Sequence, residues 1–72
     1  MFNGDKLQNL RKNKGLTQKN VALDLGITER AYQGYEIKDS YPSLKMLIKL
    51  ANYFNVSTDY LLDRTNNPKM SD

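Results

Sequence analysis

A chain of 72 residues with neither cysteine nor histidine has no disulfide to staple it, no thiol or imidazole for catalysis, and none of the usual zinc ligand sets. At this length a single core is marginal, which leaves well-packed helices and a partner subunit as sources of support. Hydrophobic residues at 39% and charged residues at 26% place the chain with folded soluble proteins and not with disordered ones. The formal net charge of +3 is unevenly placed, since residues 1–38 carry seven Lys/Arg against four Asp/Glu and residues 39–72 carry four of each. A basic half is the electrostatic footprint expected for a phosphate-bearing partner, although ordinary solvated lysines give the same count.

The opening residues, MFNGDKLQNLRKNKG, contain no continuous apolar run. They read as neither a signal peptide nor a membrane span, and the expected location is the cytoplasm. Asp5 to Lys14 is the first expected helix, with Leu7 and Leu10 on one side and Arg11, Lys12 and Lys14 in the last turn, where the helix dipole favours positive charge. Gly15 ends it, and Thr17 caps the second helix. There Val21, Ala22 and Leu25 stack on one side of a 3.6-residue period. Gly26 follows where a left-handed residue closes a helix, and Thr28 caps a third helix running to Glu36. Two helices joined by a short turn containing glycine form a helix-turn-helix unit, here residues 17–36, whose second helix can lie in a DNA major groove.

Ile37 to Tyr41 reads as a polar connection closed by Pro42, which disfavours helical geometry at the residue before it. Ser43 caps the most strongly patterned helix, with Leu44, Leu47, Ile48, Ala51 and Phe54 expected in the core. Asn55 ends that helix, Val56 packs inward, and Ser57 caps a short last helix through Leu61 and Leu62. The polar tail from Asp63 is expected to be loosely ordered and flexible. The sum is an all-α fold of five short helices, one domain over residues 1–62 with a tail over 63–72.

The third helix carries the candidate chemistry. Placing Tyr32 and Tyr35 inward, with their hydroxyls toward water, puts Arg30, Gln33 and Gly34 on the opposite side, free to face a groove. Arg30 can donate twice to guanine O6 and N7, Gln33 can pair with adenine, and Glu29 can accept from cytosine N4. Thr28 and the first-turn N–H groups can hold a phosphate at the positive helix end. Lys12, Lys14, Lys19 and Lys38, with Thr17 at the preceding helix start, are candidate backbone contacts that add affinity and salt dependence without sequence choice. Catalysis is not expected. There is no nucleophile–base pair and no glycine-rich phosphate loop, and the one close carboxylate pair, Asp59 and Asp63, lies near the end. No cofactor, metal or small-molecule ligand is implied.

Thr17-Gln18, Ala22, Leu25-Gly26-Ile27-Thr28, the aromatic–aromatic–Glu run ending at Glu36, Pro42-Ser43-Leu44 and Val56 to Leu62 together resemble the Cro/phage-repressor-type (xenobiotic response element) helix-turn-helix domain. The likeness covers about residues 5–62. It implies a five-helix, lambda-repressor-like fold that binds a double-stranded DNA operator as a homodimer and regulates transcription, most simply as a repressor. It also implies that Gln18 contacts DNA, that Thr28 touches phosphate, that Glu29 and Arg30 read base edges, and that Arg11 and Glu36 form a buried ion pair. Two positions depart from the pattern. Gly34 replaces a larger polar reader, so that either one base contact is lost or the helix backbone approaches DNA there, and Lys38 replaces a helix-ending glycine. The competing reading is an antitoxin-like module that holds a partner protein, with Tyr41, Tyr53 or Tyr60 as an interaction or dimer surface.

Overall fold

In the computed structural model, which describes residues 1–69, five helices follow in order: α1 (Gly4–Asn13), α2 (Gln18–Leu25), α3 (Glu29–Glu36), α4 (Leu44–Phe54) and α5 (Thr58–Leu61). No strand occurs among the described residues. None of these helices is long and apolar enough to cross a membrane.

Local chemistry starts each helix. Asn3, Thr17, Thr28, Ser43 and Ser57 sit at the five N-caps in extended conformation, and each side chain accepts a hydrogen bond from a backbone N–H two or three residues on. Each cap contributes about 1 kcal/mol. Thr17 forms a reciprocal box with Asn20, whose side chain returns to the Thr17 backbone. Gly26 closes α2 at φ 75°, where a Cβ would be strained. Asn3 was not among the expected caps, and α1 begins one residue earlier than its sequence pattern suggests.

Tyr32, Leu7, Leu50, Leu61 and Val21 are fully buried at the centre, with Ala22, Leu25, Leu47, Ala51, Phe54 and Val56 around them and Phe2 closing one end. On α4 the buried stripe is Leu47, Leu50, Ala51 and Phe54, whereas Leu44 and Ile48, both expected inside, are 74% and 46% exposed. Apolar residues wrap more than half of α4, so periodicity cannot choose the covered side. At about 100° per residue, including Leu50 turns the buried face by about 50° and carries Ile48 out to its edge.

The start of α1 abuts the backbone of the last turn of α3. A Cβ on Gly4 would lie 2.5 Å from the Tyr35 carbonyl oxygen and 2.6 Å from that of Glu36. Gly4→Ala therefore forces two backbones apart and is expected to lower stability by about 1–3 kcal/mol, outweighing a gain of about 1 kcal/mol in helix propensity. In urea denaturation the midpoint falls while the m-value stays unchanged.

The connection after α3 turns at Lys38, which adopts φ 66° in the left-handed region, the geometry of the glycine it replaces. Its Nζ lies 3.0 Å from Asp5 Oδ2, both side chains being exposed. The tail is tied down further than its composition suggests. Lys6 donates to the Tyr60 and Thr65 carbonyls at 3.2 and 3.1 Å, pairs with Asp63 at 3.0 Å and sits 4.2 Å from the Tyr60 ring centre. The Ser57 N–H donates to the Pro68 carbonyl at 2.9 Å. Asp63, Thr65 and Pro68 thus contact the body of the domain, and residues 70–72 of the expected flexible tail lie outside the described residues. Tyr60 is covered by Lys6 and Tyr53 is half-buried with its hydroxyl donating to Asp24 at 2.6 Å, so of the three candidate surface tyrosines only Tyr41 is exposed.

Candidate nucleic-acid interface

Helices α2 and α3 meet at the Gly26 turn, where the Ile27 N–H returns to the Ala22 carbonyl at 3.0 Å. Helix α3 is anchored from within. Tyr32 is fully buried and Glu36 is 4% exposed, while Glu29 and Arg30 face solvent and Gln33 is half-exposed. Arg30 makes no ion pair among the described residues. Gln33 donates weakly to Glu29 at 3.4 Å, so Glu29 pairs along the helix with Gln33 and not with Arg30.

Beneath this face lies a charged cluster. Arg11 Nε donates to Glu36 Oε2 at 2.7 Å and Nη2 to Oε1 at 3.2 Å, a two-point contact with side chains only 11% and 1% exposed. The remaining guanidinium edge reaches the Leu16 carbonyl at 2.9 Å, and Gln18 Nε2 donates to Glu36 Oε1 at 3.0 Å. Burial pushes the Glu36 carboxyl up, but the hydrogen bonds it accepts and the Arg11 charge outweigh burial, so its pKa lies below the ordinary glutamate value. The same hydrogen bond raises the Arg11 pKa against desolvation. One cluster thus joins α1, the start of α2 and the end of α3.

Two sequence expectations change here. The Tyr32 hydroxyl does not reach water: it is buried beside the Arg11–Glu36 pair and meets no partner at hydrogen-bonding geometry. Burial first, and then the Glu36 carboxylate, push its pKa upward. Gly34 does not face an open groove. It is buried under the following turn, its carbonyl accepting from the Asp39 and Ser40 N–H groups at 2.9 and 3.3 Å, and a Cβ there would meet Ser40 Oγ at 2.8 Å. The backbone after α3 folds over the end of the helix and claims the space a larger residue would use.

Among the phosphate candidates, Lys12, Lys14 and Lys19 are exposed and form no ion pair among the described residues, whereas Lys38 is engaged by Asp5. The Thr28 hydroxyl oxygen accepts from the Ala31 N–H at 3.1 Å, which leaves its proton for an outside acceptor. The Thr17 hydroxyl donates to Asn20 Oδ1 at 2.7 Å. Gln18 is half-buried, one amide hydrogen held by Glu36; a contact between side chains 18 positions apart leaves no trace in local periodicity. Asp59 and Asp63 turn to different partners, Arg64 and Lys6, and share no site.

A two-helix unit with a left-handed glycine turn, a buried inner face on its second helix and an exposed arginine on the outer one is a helix-turn-helix of the kind that lies in a groove. The Helix-turn-helix family model matches residues 7–61, and the chain belongs to that family. It is 46% identical over 66 residues, 92% of this chain and 57% of the relative, to the uncharacterized HTH-type transcriptional regulator YqaE of Bacillus subtilis. It is 47% identical over 62 residues, 86% of this chain and 57% of the relative, to the SPbeta prophage-derived uncharacterized HTH-type transcriptional regulator YonR of the same organism. A third relative, the cryptic phage CTXphi transcriptional repressor RstR of Vibrio cholerae, is 33% identical over 60 residues, 83% of this chain and 54% of its own length. The chain spans about half the length of these relatives.

Proposed function

We propose that this chain binds double-stranded DNA sequence-specifically and regulates transcription in the cytoplasm as a homodimer, acting as a repressor by occluding its operator, with α3 in the major groove. The observation that carries the reading is the outer face of α3, where Arg30 stands exposed and without an ion pair among the described residues, on a helix whose inner side is fastened by Tyr32 and Glu36. A guanidinium free of internal partners gives up no protein contact when it binds guanine bidentately. Gln18 keeps one amide hydrogen and its carbonyl oxygen for DNA while Glu36 holds its position. Glu29 and Gln33 complete the base-reading set, exchanging their mutual hydrogen bond for cytosine N4 and an adenine edge. Thr17, Thr28, Lys12, Lys14, Lys19 and Lys38 supply phosphate contacts.

Each subunit offers a single α3, and its longest dimension is 30 Å. A two-fold site with half-sites about 34 Å apart therefore takes two copies. The exposed Leu44 and Ile48 on α4 provide apolar surface for that pairing. Selection of bound duplexes from a random library tests the reading: the expected product is a two-fold consensus, with two chains per duplex in native mass spectrometry. Failure to retain any duplex at low ionic strength would end it. On the selected duplex, Lys14→Ala is expected to weaken binding to all sequences alike and to reduce the slope of log affinity against log salt by about one.

A further inference from the structure

We propose that Ile37 is a specificity residue of this interface, reading the C5-methyl group of a pyrimidine, thymine in unmodified DNA, in the major groove. The inference rests on the DNA-binding reading above. Ile37 closes α3, its N–H donating to the Gln33 carbonyl at 3.1 Å, yet its side chain is 70% exposed. It stands four positions after Gln33 and seven after Arg30, and so prolongs the stripe on which both lie. Between this stripe and the turn that follows runs an open cleft of about 380 Å3, with Thr28, Arg30, Gln33 and Ile37 on the helix side and Asp39 and Ser40 on the side of the turn.

Three features assign a base edge to this end of the cleft. Along the helix side its bounding side chains pass from Arg30 and Gln33 to the aliphatic Ile37, which has no polar side-chain atom, while Ser40 lies on the side of the turn. Asp39, exposed and without an ion pair among the described residues, stands on the far rim, where its charge opposes a phosphate. Ile37 carries the one large apolar side chain on this cleft among the described residues, so a group that reaches past Gln33 meets the isoleucine methyls. In the major groove the only apolar feature of a base edge is the thymine methyl, and contact with an aliphatic side chain is how it is recognised. The same methyl is present on 5-methylcytosine.

The test uses the consensus duplex recovered from the random-library selection, resynthesised with each thymine replaced singly by uracil, and compares wild-type protein with Ile37→Ala by fluorescence anisotropy. Burial of one methyl, at about 0.8 kcal/mol, corresponds to roughly a fourfold change in affinity. The expected result is one thymine per half-site whose replacement weakens wild-type binding about fourfold and leaves Ile37→Ala unaffected. In a second pair of duplexes, cytosine and 5-methylcytosine are placed at that position. A gain on methylation for wild type that is absent in Ile37→Ala supports methyl reading independently of base pairing, and no such difference counts against it. Equal thermal midpoints for the two proteins exclude a folding effect, Ile37 being mostly solvated. A consensus with no uracil-sensitive thymine, or one equally sensitive in both proteins, would overturn the assignment to Ile37 and leave the DNA-binding reading standing. If no duplex is recovered at all, that reading fails, and this one with it.

Discussion

Glu36→Ala is expected to cost about 3–5 kcal/mol, because it strands the Arg11 guanidinium in a site 11% exposed and removes the acceptor that Gln18 uses. A chain of 72 residues has a total stability of about 4–11 kcal/mol at 0.05–0.15 kcal/mol per residue, so the variant is expected to be partly unfolded at room temperature. Thermal or urea denaturation followed by circular dichroism reads this directly. An unchanged midpoint would mean that the pair contributes nothing. The double variant Arg11→Met with Glu36→Leu is expected to recover most of the loss, since removing both charges leaves neither buried alone.

The same carboxylate gives a pH signature. Its folded pKa lies below the ordinary value of 4.5, so folding favours the ionised form. This stability is fully present above the unfolded pKa and is lost as pH falls from about 4.5 through the folded value. Acid titration of the wild type should therefore show a stability loss below pH 4.5 that is flattened in Glu36→Gln, which cannot ionise.

Arg30→Ala acts at the other level. It should leave the melting temperature unchanged, because the side chain is solvated and makes no ion pair among the described residues. Binding to the selected duplex is expected to fall by about 1–3 kcal/mol, roughly 5- to 150-fold, with relaxed preference at one base pair per half-site. Binding to random duplex should fall far less, losing only a share of the phosphate attraction. Equal losses on both duplexes would assign Arg30 to the backbone instead of the base. Together the two substitutions separate the scaffold beneath α3 from the surface above it.

Much of this scaffold was legible in advance because it is written locally. Thr17, Thr28, Ser43 and Ser57 each satisfy an N–H only two or three residues away, and Gly26 closes its turn with carbonyls three and four residues back. Such bonds depend on side-chain type and spacing alone. The Arg11–Glu36 contact, bridging 25 positions, was accessible only through the family resemblance, since no period of a single helix connects the two. The candidate readers were found as residues on the outer side of α3, but their partners were not. That Gln18 is held by Glu36, and that Glu29 takes its hydrogen bond from Gln33, depends on side-chain placement that composition does not report. The sequence places Ile37 in a polar connection because its neighbours are polar.

By itself the sequence determined five helices, four of their five N-caps, the glycine turn and the inward side of α3, each set by hydrogen bonds or apolar repeats within about four residues. Tertiary structure decided which half of α4 is covered, leaving Leu44 and Ile48 outside, and it placed Gly34 beneath a turn where a groove-facing position had been expected. It also tied Asp63 and Thr65 to Lys6, whose bond to the Thr65 carbonyl spans 59 positions. The physical reason is common to all three. A helix with apolar residues around most of its circumference, a residue without a side chain and a polar tail each have several local solutions of similar energy, and only neighbours brought from elsewhere in the chain select one.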